Sequence, residues 1–247
     1  MKLVSVCGVS DTGKTTTVEK VVAVLRARGH RVGTVKEINA ERFAIDDKPT
    51  SNTHRHRLAG AELVTARALH ETDVLYPEKL PMEEILKLYT GYDWVVLEGV
   101  ADIPVPTVVT GRTPAQLDLK WGDMVFCVSG RIADEIEAYR GVPAISAIKE
   151  PEKLVDFLEK SVYDKLPAFS SACCCACGSS CAQLGADILR GKASRADCVA
   201  TSGICLSVDG RRLDMVPFVQ RLLRNAILGV VRELDGYREG APVEITL

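Results

Sequence analysis

Three groups of residues could do chemistry. The first is Gly8-Val9-Ser10-Asp11-Thr12-Gly13-Lys14-Thr15, a G-x-x-x-x-G-K-[ST] loop followed by Thr16. Glycines at this spacing let backbone N–H groups turn inward around phosphate oxygens. A helix opening at the end of the loop adds its partial positive charge. Gly8, Val9, Asp11, Thr12, Gly13, Lys14, Thr15 and Thr16 are therefore expected to cradle a nucleotide's phosphates. Lys14 would reach the β- and γ-phosphates and the Thr15 hydroxyl would hold Mg²⁺. The second group is Asp93-Trp94-Val95-Val96-Leu97-Glu98-Gly99, an apolar run that ends in a carboxylate. Glu98 is placed to join the Mg²⁺ shell or to hold a water beside the γ-phosphate. Lys14 and Glu98 are thus the candidate catalytic pair. No Asn-Lys-x-Asp guanine-reading motif is present, so residue types leave the base unassigned.

The third group is cysteine. Seven of nine cysteines fall between residues 173 and 205, and only Cys7 and Cys127 lie elsewhere, inside apolar runs where they read as small buried hydrophobes. Cys174-x2-Cys177-x3-Cys181, then sixteen residues, then Cys198 is a close trio plus one remote thiol. That pattern suits a [4Fe–4S] cluster, with one cysteine per iron corner. Zinc, more often held by two C-x-x-C pairs, and redox-active thiols are the alternatives. Cys173 or Cys175 could stand in for Cys174, and Cys205 for Cys198.

The elements that must position these groups follow from periodicity. Leu3–Cys7 reads as a buried parallel strand and Thr16–Arg28 as a helix stopped by Gly29. Arg31–Lys36 completes a strand–helix–strand crossover. Glu37–Arg57 has little periodicity and carries Asp46-Asp47 and His54-Arg55-His56-Arg57; as the loop after the second strand it would overlie the ligand. A further helix-plus-strand passage runs from Leu58 to Leu75, and Met82–Tyr89 reads as a helix. Val105–Val109, Met124–Val128 and Ala144–Ile148 read as strands, Ile132–Tyr139 and Glu152–Val162 as helices. The alternation predicts an α/β fold, a mostly parallel sheet of phosphate-loop NTPase type with helices on both faces. Composition changes near Lys165–Ser171, which divides the chain into a nucleotide-binding domain, residues 1–164, and a small α+β cysteine-rich module, residues 165–247. In the second part Cys181–Gly191 reads as a helix and Ile204–Val216 as a hairpin around Asp209-Gly210. An amphipathic helix runs from Pro217 to Leu234, to cover the hairpin or to pair subunits, and Val243–Leu247 could be a last strand.

The chain has 247 residues, 47% of them hydrophobic, and a formal net charge of −2. The balance gives no electrostatic case for nucleic acid as a partner. No apolar run reaches the length of a membrane span. The start leaves no room for a signal peptide before the phosphate loop, so a cytoplasmic protein is expected.

Gly8–Thr17, Val35-Lys36, Arg55-His56-Arg57-Leu58-Ala59-Gly60-Ala61 and Leu97-Glu98-Gly99 together resemble the molybdopterin–guanine dinucleotide biosynthesis protein B (MobB) family. The resemblance covers roughly the first 150 residues. The family's Asp-x-Pro element corresponds to Asp47-Lys48-Pro49, while Glu37 stands where the family usually has histidine and Pro49-Thr50-Ser51-Asn52 replaces a Pro-Gly-Lys-Asp loop. The cysteine segment is not part of the short bacterial form and is similar to four-cysteine modules of anaerobic proteins. The resemblance implies GTP with Mg²⁺, weak GTPase activity and a homodimer. It also implies a role assisting a partner protein that makes or delivers the guanine dinucleotide form of the molybdenum or tungsten cofactor. Asp47, Arg55 and His56 would then lie near the phosphates or the molybdopterin. A nucleotide-driven iron–sulfur electron donor or metal-insertion protein is the alternative; a small-molecule kinase is weaker.

Overall fold

The computed structural model describes residues 1–38, 48, 50–167, 177–198, 206–208, 211–213 and 217–237. Lys2–Gly8 (β1) carries a buried apolar run, as a strand covered on both faces requires. The phosphate loop leads into Lys14–Ala27 (α1), and Val32–Lys36 (β2) follows. Asn52–Leu58 (α2) is capped by the Ser51 hydroxyl, which accepts from His54 N at 3.1 Å. Val64–Arg67 (β3) and Thr72–Leu75 (β4) come next, then Met82–Lys87 (α3) and Trp94–Glu98 (β5). Thr107–Thr110 (β6), Pro114–Asp118 (α4) and Val125–Ser129 (β7) follow. After a 3-10 turn at Arg131–Asp134 come Ala138–Tyr139 (β8), Val142–Pro143 (β9) and Pro151–Ser161 (α5). Beyond these lie Cys181–Leu189 (α6), a 3-10 turn at Arg195–Asp197, Leu206–Val208 (β10), Arg211–Leu213 (β11) and Pro217–Val231 (α7).

Five strands form the central sheet in the order β2-β5-β1-β6-β7, every pair parallel. Alternation sorts its side chains between two cores. Val4, Val6, Trp94, Val96 and Val108 pack with Val21 and Leu25 of α1 and with Leu154 and Leu158 of α5. On the other face, Leu3, Val95 and Leu97 meet Leu86 of α3, and Val109 and Val128 meet Leu117 of α4. The expected α/β sheet with helices on both faces is present.

Three passages differ from the sequence reading. Ile132–Tyr139 is not a helix: one 3-10 turn ends at Asp134, and Ala138-Tyr139 is drawn into the β8–β9 hairpin, which turns at Arg140 (φ 48°) and Gly141 (φ 80°) and pairs Ala138 with Pro143. Ala144–Ile148 contributes one parallel bridge, Val128 to Ala144, before the chain turns at Ser146. Leu58–Leu75 leaves the sheet: Gly60 (φ 99°) ends α2, and β3 and β4 pair antiparallel with each other alone. That hairpin and its approaches leave Leu58, Leu63, Leu69, Val74 and Tyr76 exposed.

In the C-terminal part, Leu184 of α6, Cys181 and Cys198 are buried with Tyr163 and Leu166, against Met124 and Leu189. Arg190 pairs with Asp123 at 2.6 Å, and Arg195 donates to the carbonyls of Asp164 and Lys165. Met124 precedes β7, and Asp164 bridges to Lys2 at the start of β1. Residues 177–198 therefore sit at the amino ends of the strands. The β10–β11 pair is present; its turn and the expected strand Val243–Leu247 lie outside the described residues. Val219, Leu222, Val230 and Leu234 on and after α7 remain exposed.

Candidate functional site

The site lies at the carboxyl ends of the strands, where an open parallel sheet binds its ligand. Asp11 (φ 60°) and Gly13 (φ 97°) both take the left-handed conformation, which curls the loop so that successive N–H groups face one side. Gly13 is also the N-cap of α1, and a Cβ there would come 3.3 Å from Gly130 Cα. Gly8 is fixed by crowding: a Cβ would fall 2.3 Å from Thr110 Oγ1. Thr12 is fully buried and bonds Thr110 Oγ1 at 2.8 Å and the Val9 carbonyl at 2.9 Å, so it anchors the loop from behind. Lys14 Nζ is folded onto the Val9 carbonyl at 2.6 Å, at the mouth of the loop.

Register explains how Glu98 arrives here. It pairs with Val6 of β1 on one side and Lys36 of β2 on the other, and its alternation faces α1. Thr15 Oγ1 donates to Glu98 Oε1 at 2.7 Å, and the Lys36 ammonium donates to the same oxygen. Burial pushes the Glu98 carboxyl up, but Lys36, Thr15 and the nearby Lys14 outweigh it, and the net shift is downward. A hydroxyl and an ionised carboxylate thus meet beside the loop, the oxygen donors that Mg²⁺ takes.

A cavity of about 470 Å³ runs over these groups, lined by Lys14, Thr15 and Thr16, by Lys36 and Glu98 at one end, and by Arg131, Ala147 and Ile148 at the other. Asp11 and Gly13 line it too; Gly8, Val9 and Thr12 lie behind it. Arg112 also lines it and holds the loop through Nε to the Asp11 carbonyl at 2.8 Å. Sequence reasoning did not assign Lys36, Arg112 or Arg131 to the site. The available signal was a charge at or just after the end of an apolar strand, the signal that found Glu98.

The other expected residues are elsewhere. Asp47 lies outside the described residues. Arg55 and His56 are exposed on α2 and do not line the nucleotide cavity. His56 instead borders a separate shallow cleft with Ala59, Gly60, Ala61 and Val64. Cys177, Cys181 and Cys198 gather in one packed cluster, while Cys174, with Cys173, Cys175 and Cys205, lies outside the described residues. Among the described residues no group of three or more His, Cys, Asp or Glu side chains has the geometry to hold a metal ion. Two buried polar atoms nearby have no hydrogen-bond partner among the described residues, Tyr163 Oη and Arg195 Nη1. Burial first, and then the Cys181 thiol, push the Tyr163 hydroxyl up.

The sequence model of the family "MobB: Molybdopterin guanine dinucleotide synthesis protein B" matches residues 3–125, which contain the phosphate loop, Lys36 and Glu98. The chain belongs to this family. A Methanocaldococcus jannaschii protein described as a molybdopterin-guanine dinucleotide biosynthesis adapter protein is 26% identical over 255 residues, covering 100% of this chain and 97% of its own. The MobB alignment with that relative therefore extends through the cysteine-rich part. A crystal structure of Bacillus subtilis MobB superposes with a TM-score of 0.55 at 19% identity, covering 67% of this chain and 100% of its own. A second Bacillus subtilis MobB structure gives 0.52 at 18% identity, with the same coverage. These structures share the fold. Among the described residues no helix is long and apolar enough to cross a membrane.

Proposed function

We propose that this MobB-family chain is a Mg-GTP-binding adaptor that serves a partner protein in making or delivering the guanine dinucleotide form of the molybdenum or tungsten cofactor. One observation carries the nucleotide part: Thr15 and Lys36 converge on a single oxygen of Glu98, inside the cavity over the phosphate loop. Thr15 and Glu98 would hold Mg²⁺, which supplies charge neutralisation on the β- and γ-phosphates. Lys14, released from the Val9 carbonyl, would bind those phosphates, and Glu98 would orient a water for slow hydrolysis. The adaptor role is carried over from the name of the archaeal relative that matches the chain end to end. Molybdopterin would meet His56 at the separate cleft beside α2, with Arg55 exposed on the same helix, rather than at the phosphates.

The [4Fe–4S] cluster belongs to the same proposal. Cys177, Cys181 and Cys198, with Cys174, are its ligands. Its support is the burial of Cys181 and Cys198, with the half-buried Cys177 packed against them, near two donors that have no partner among the described residues, since sulfur of a cluster accepts such hydrogen bonds. The homodimer would form through the β3–β4 hairpin, whose apolar side chains nothing described in this chain covers. Cys177, Cys181 and Cys198 lie at the opposite end of strands about 15 Å long from the nucleotide cavity, an arrangement that does not favour the electron-donor alternative.

Native mass spectrometry of anaerobically purified protein tests the proposal. The expected species is a dimer with four irons and four sulfides per chain and guanine nucleotide. Zinc in place of iron, with nucleotide retained, would remove the cluster and leave the nucleotide site. Cys177→Ser with its full iron content would remove that ligand. No nucleotide at any added concentration would defeat the central reading.

A further inference from the structure

We propose that Lys36 competes with Mg²⁺ for Glu98 and yields only to a nucleotide whose terminal phosphate takes up its ammonium. The site then accepts a nucleoside triphosphate with its Mg²⁺ and resists free divalent cations and diphosphates. The inference rests on reading the cavity over the phosphate loop as a nucleotide site. Lys36 and Glu98 are register partners on the parallel strands β2 and β5, so both side chains leave the sheet on one face. Glu37 N donates to the Glu98 carbonyl at 2.9 Å and fixes the two backbones beside each other. The Lys36 ammonium and the Thr15 hydroxyl both donate to Glu98 Oε1. The Glu98 side chain is 7% exposed and that of Lys36 54%. The carboxylate is therefore the fixed partner. The lysine, on a flexible four-carbon stem half in solvent, is the one that can move.

Thr15 Oγ1 and the Glu98 carboxylate are the oxygen donors that suit Mg²⁺, and Lys36 bonds to one of them. An ammonium and a dication on one carboxylate repel each other, so Lys36 weakens the hold of Glu98 on a bare cation. Lys36 leaves Glu98 readily only when another anion takes its charge. In phosphoryl-transfer sites the cation bridges the β- and γ-phosphates, so a γ-phosphate that shares a cation with Thr15 and Glu98 comes within reach of Lys36. Lys36 lines the cavity at this end together with Lys14, Thr15 and Glu98. The phosphates of a diphosphate are met by the loop and by Lys14, which turns to them from the Val9 carbonyl. They offer Lys36 no anion to replace Glu98. Lys36 is thus a specificity-determining residue, and it reads the terminal phosphate and the cation together.

The test is made on the full chain with Mn²⁺, whose electron paramagnetic resonance signal reports binding, as the probe for the cation. Without nucleotide, Lys36→Met should bind Mn²⁺ roughly ten- to a hundredfold more tightly than wild type. Lys36→Arg keeps a cation with donors and should resist Mn²⁺ as wild type does. A merely structural disturbance would weaken Mn²⁺ binding, not strengthen it. Calorimetric titration with Mg²⁺ then compares a non-hydrolysable GTP analogue with GDP. Wild type should favour the triphosphate by roughly tenfold or more, and Lys36→Met should bring the ratio close to one. Equal Mn²⁺ affinity in wild type and Lys36→Met overturns the inference, as does an unchanged triphosphate-to-diphosphate ratio; in either case the nucleotide site stands. Wild-type protein that takes Mn²⁺ as tightly without nucleotide as with the GTP analogue overturns it too. Wild-type protein that binds neither nucleotide removes the nucleotide reading and the inference together.

Discussion

Glu98 is buried, ionised and shared by a hydroxyl and an ammonium, so its charge stabilises the nucleotide-free fold only while it is ionised. Its folded pKa lies below the ordinary carboxylate value of 4.5, so the gain is full above that value and is lost as pH falls through the lower folded pKa. Glu98→Gln should therefore be less stable than wild type at pH 7, with the gap closing in acid. Urea denaturation as a function of pH measures this, and a pH-independent gap would contradict the ion-pair account. Gly130 makes a second residue-scale case. It sits at φ 75°, and a Cβ would come 2.3 Å from the Thr12 carbonyl in the phosphate loop. Gly130→Ala should push the loop out of shape and weaken nucleotide binding by about tenfold or more, a loss of 1.4 kcal/mol or greater. Isothermal titration gives the answer directly, and wild-type affinity would show that the loop yields without cost.

Among the elements, α6 is the one whose seat is most tightly specified. Gly185 faces Tyr163, and a Cβ there would meet Tyr163 Oη at 2.2 Å and Met124 Cε at 3.2 Å. Gly185→Ala should force α6 off the amino ends of the strands and cost about 1–3 kcal/mol. Because this contact lies far from the phosphate loop, nucleotide affinity should stay at the wild-type value. Loss of affinity in a variant that remains folded would mean that the two ends of the sheet are coupled. The same helix was readable in advance from Leu184, Ile188 and Leu189. The β3–β4 hairpin was not: its strands are short, their burial pattern is irregular, and pairing with each other rather than with the sheet leaves no period to detect.

For the whole molecule, the exposed apolar side chains of the hairpin set the expectation for assembly. Leu69, in the turn, is 89% exposed and Val74, on β4, 47%, and both edges of this antiparallel pair are unpaired among the described residues. The Leu69→Asp/Val74→Asp protein should sediment as a monomer at concentrations where wild type is a dimer. A wild-type monomer, or a double variant that still dimerises, would place the contact elsewhere, with the exposed face of α7 the next surface to change.

The sequence by itself determined the groups whose chemistry is local. A phosphate loop is a run of backbone conformations set by glycine spacing, and an apolar strand announces both its burial and the carboxylate at its end. Lys14, Thr15 and Glu98 were therefore named from the chain, and the α/β alternation named the sheet. What only the tertiary structure decided was adjacency across strands. Parallel register set Lys36 against Glu98, and strand order brought Arg112 and Arg131 to the cavity over the phosphate loop. The seat of α6 put Cys181 and Cys198 at the far end of the sheet from the phosphate loop, and α2 holds Arg55 and His56 outside the cavity. Each of these depends on which strands become neighbours. That is settled by the closing of a common core between residues far apart in the chain, and no local pattern encodes it.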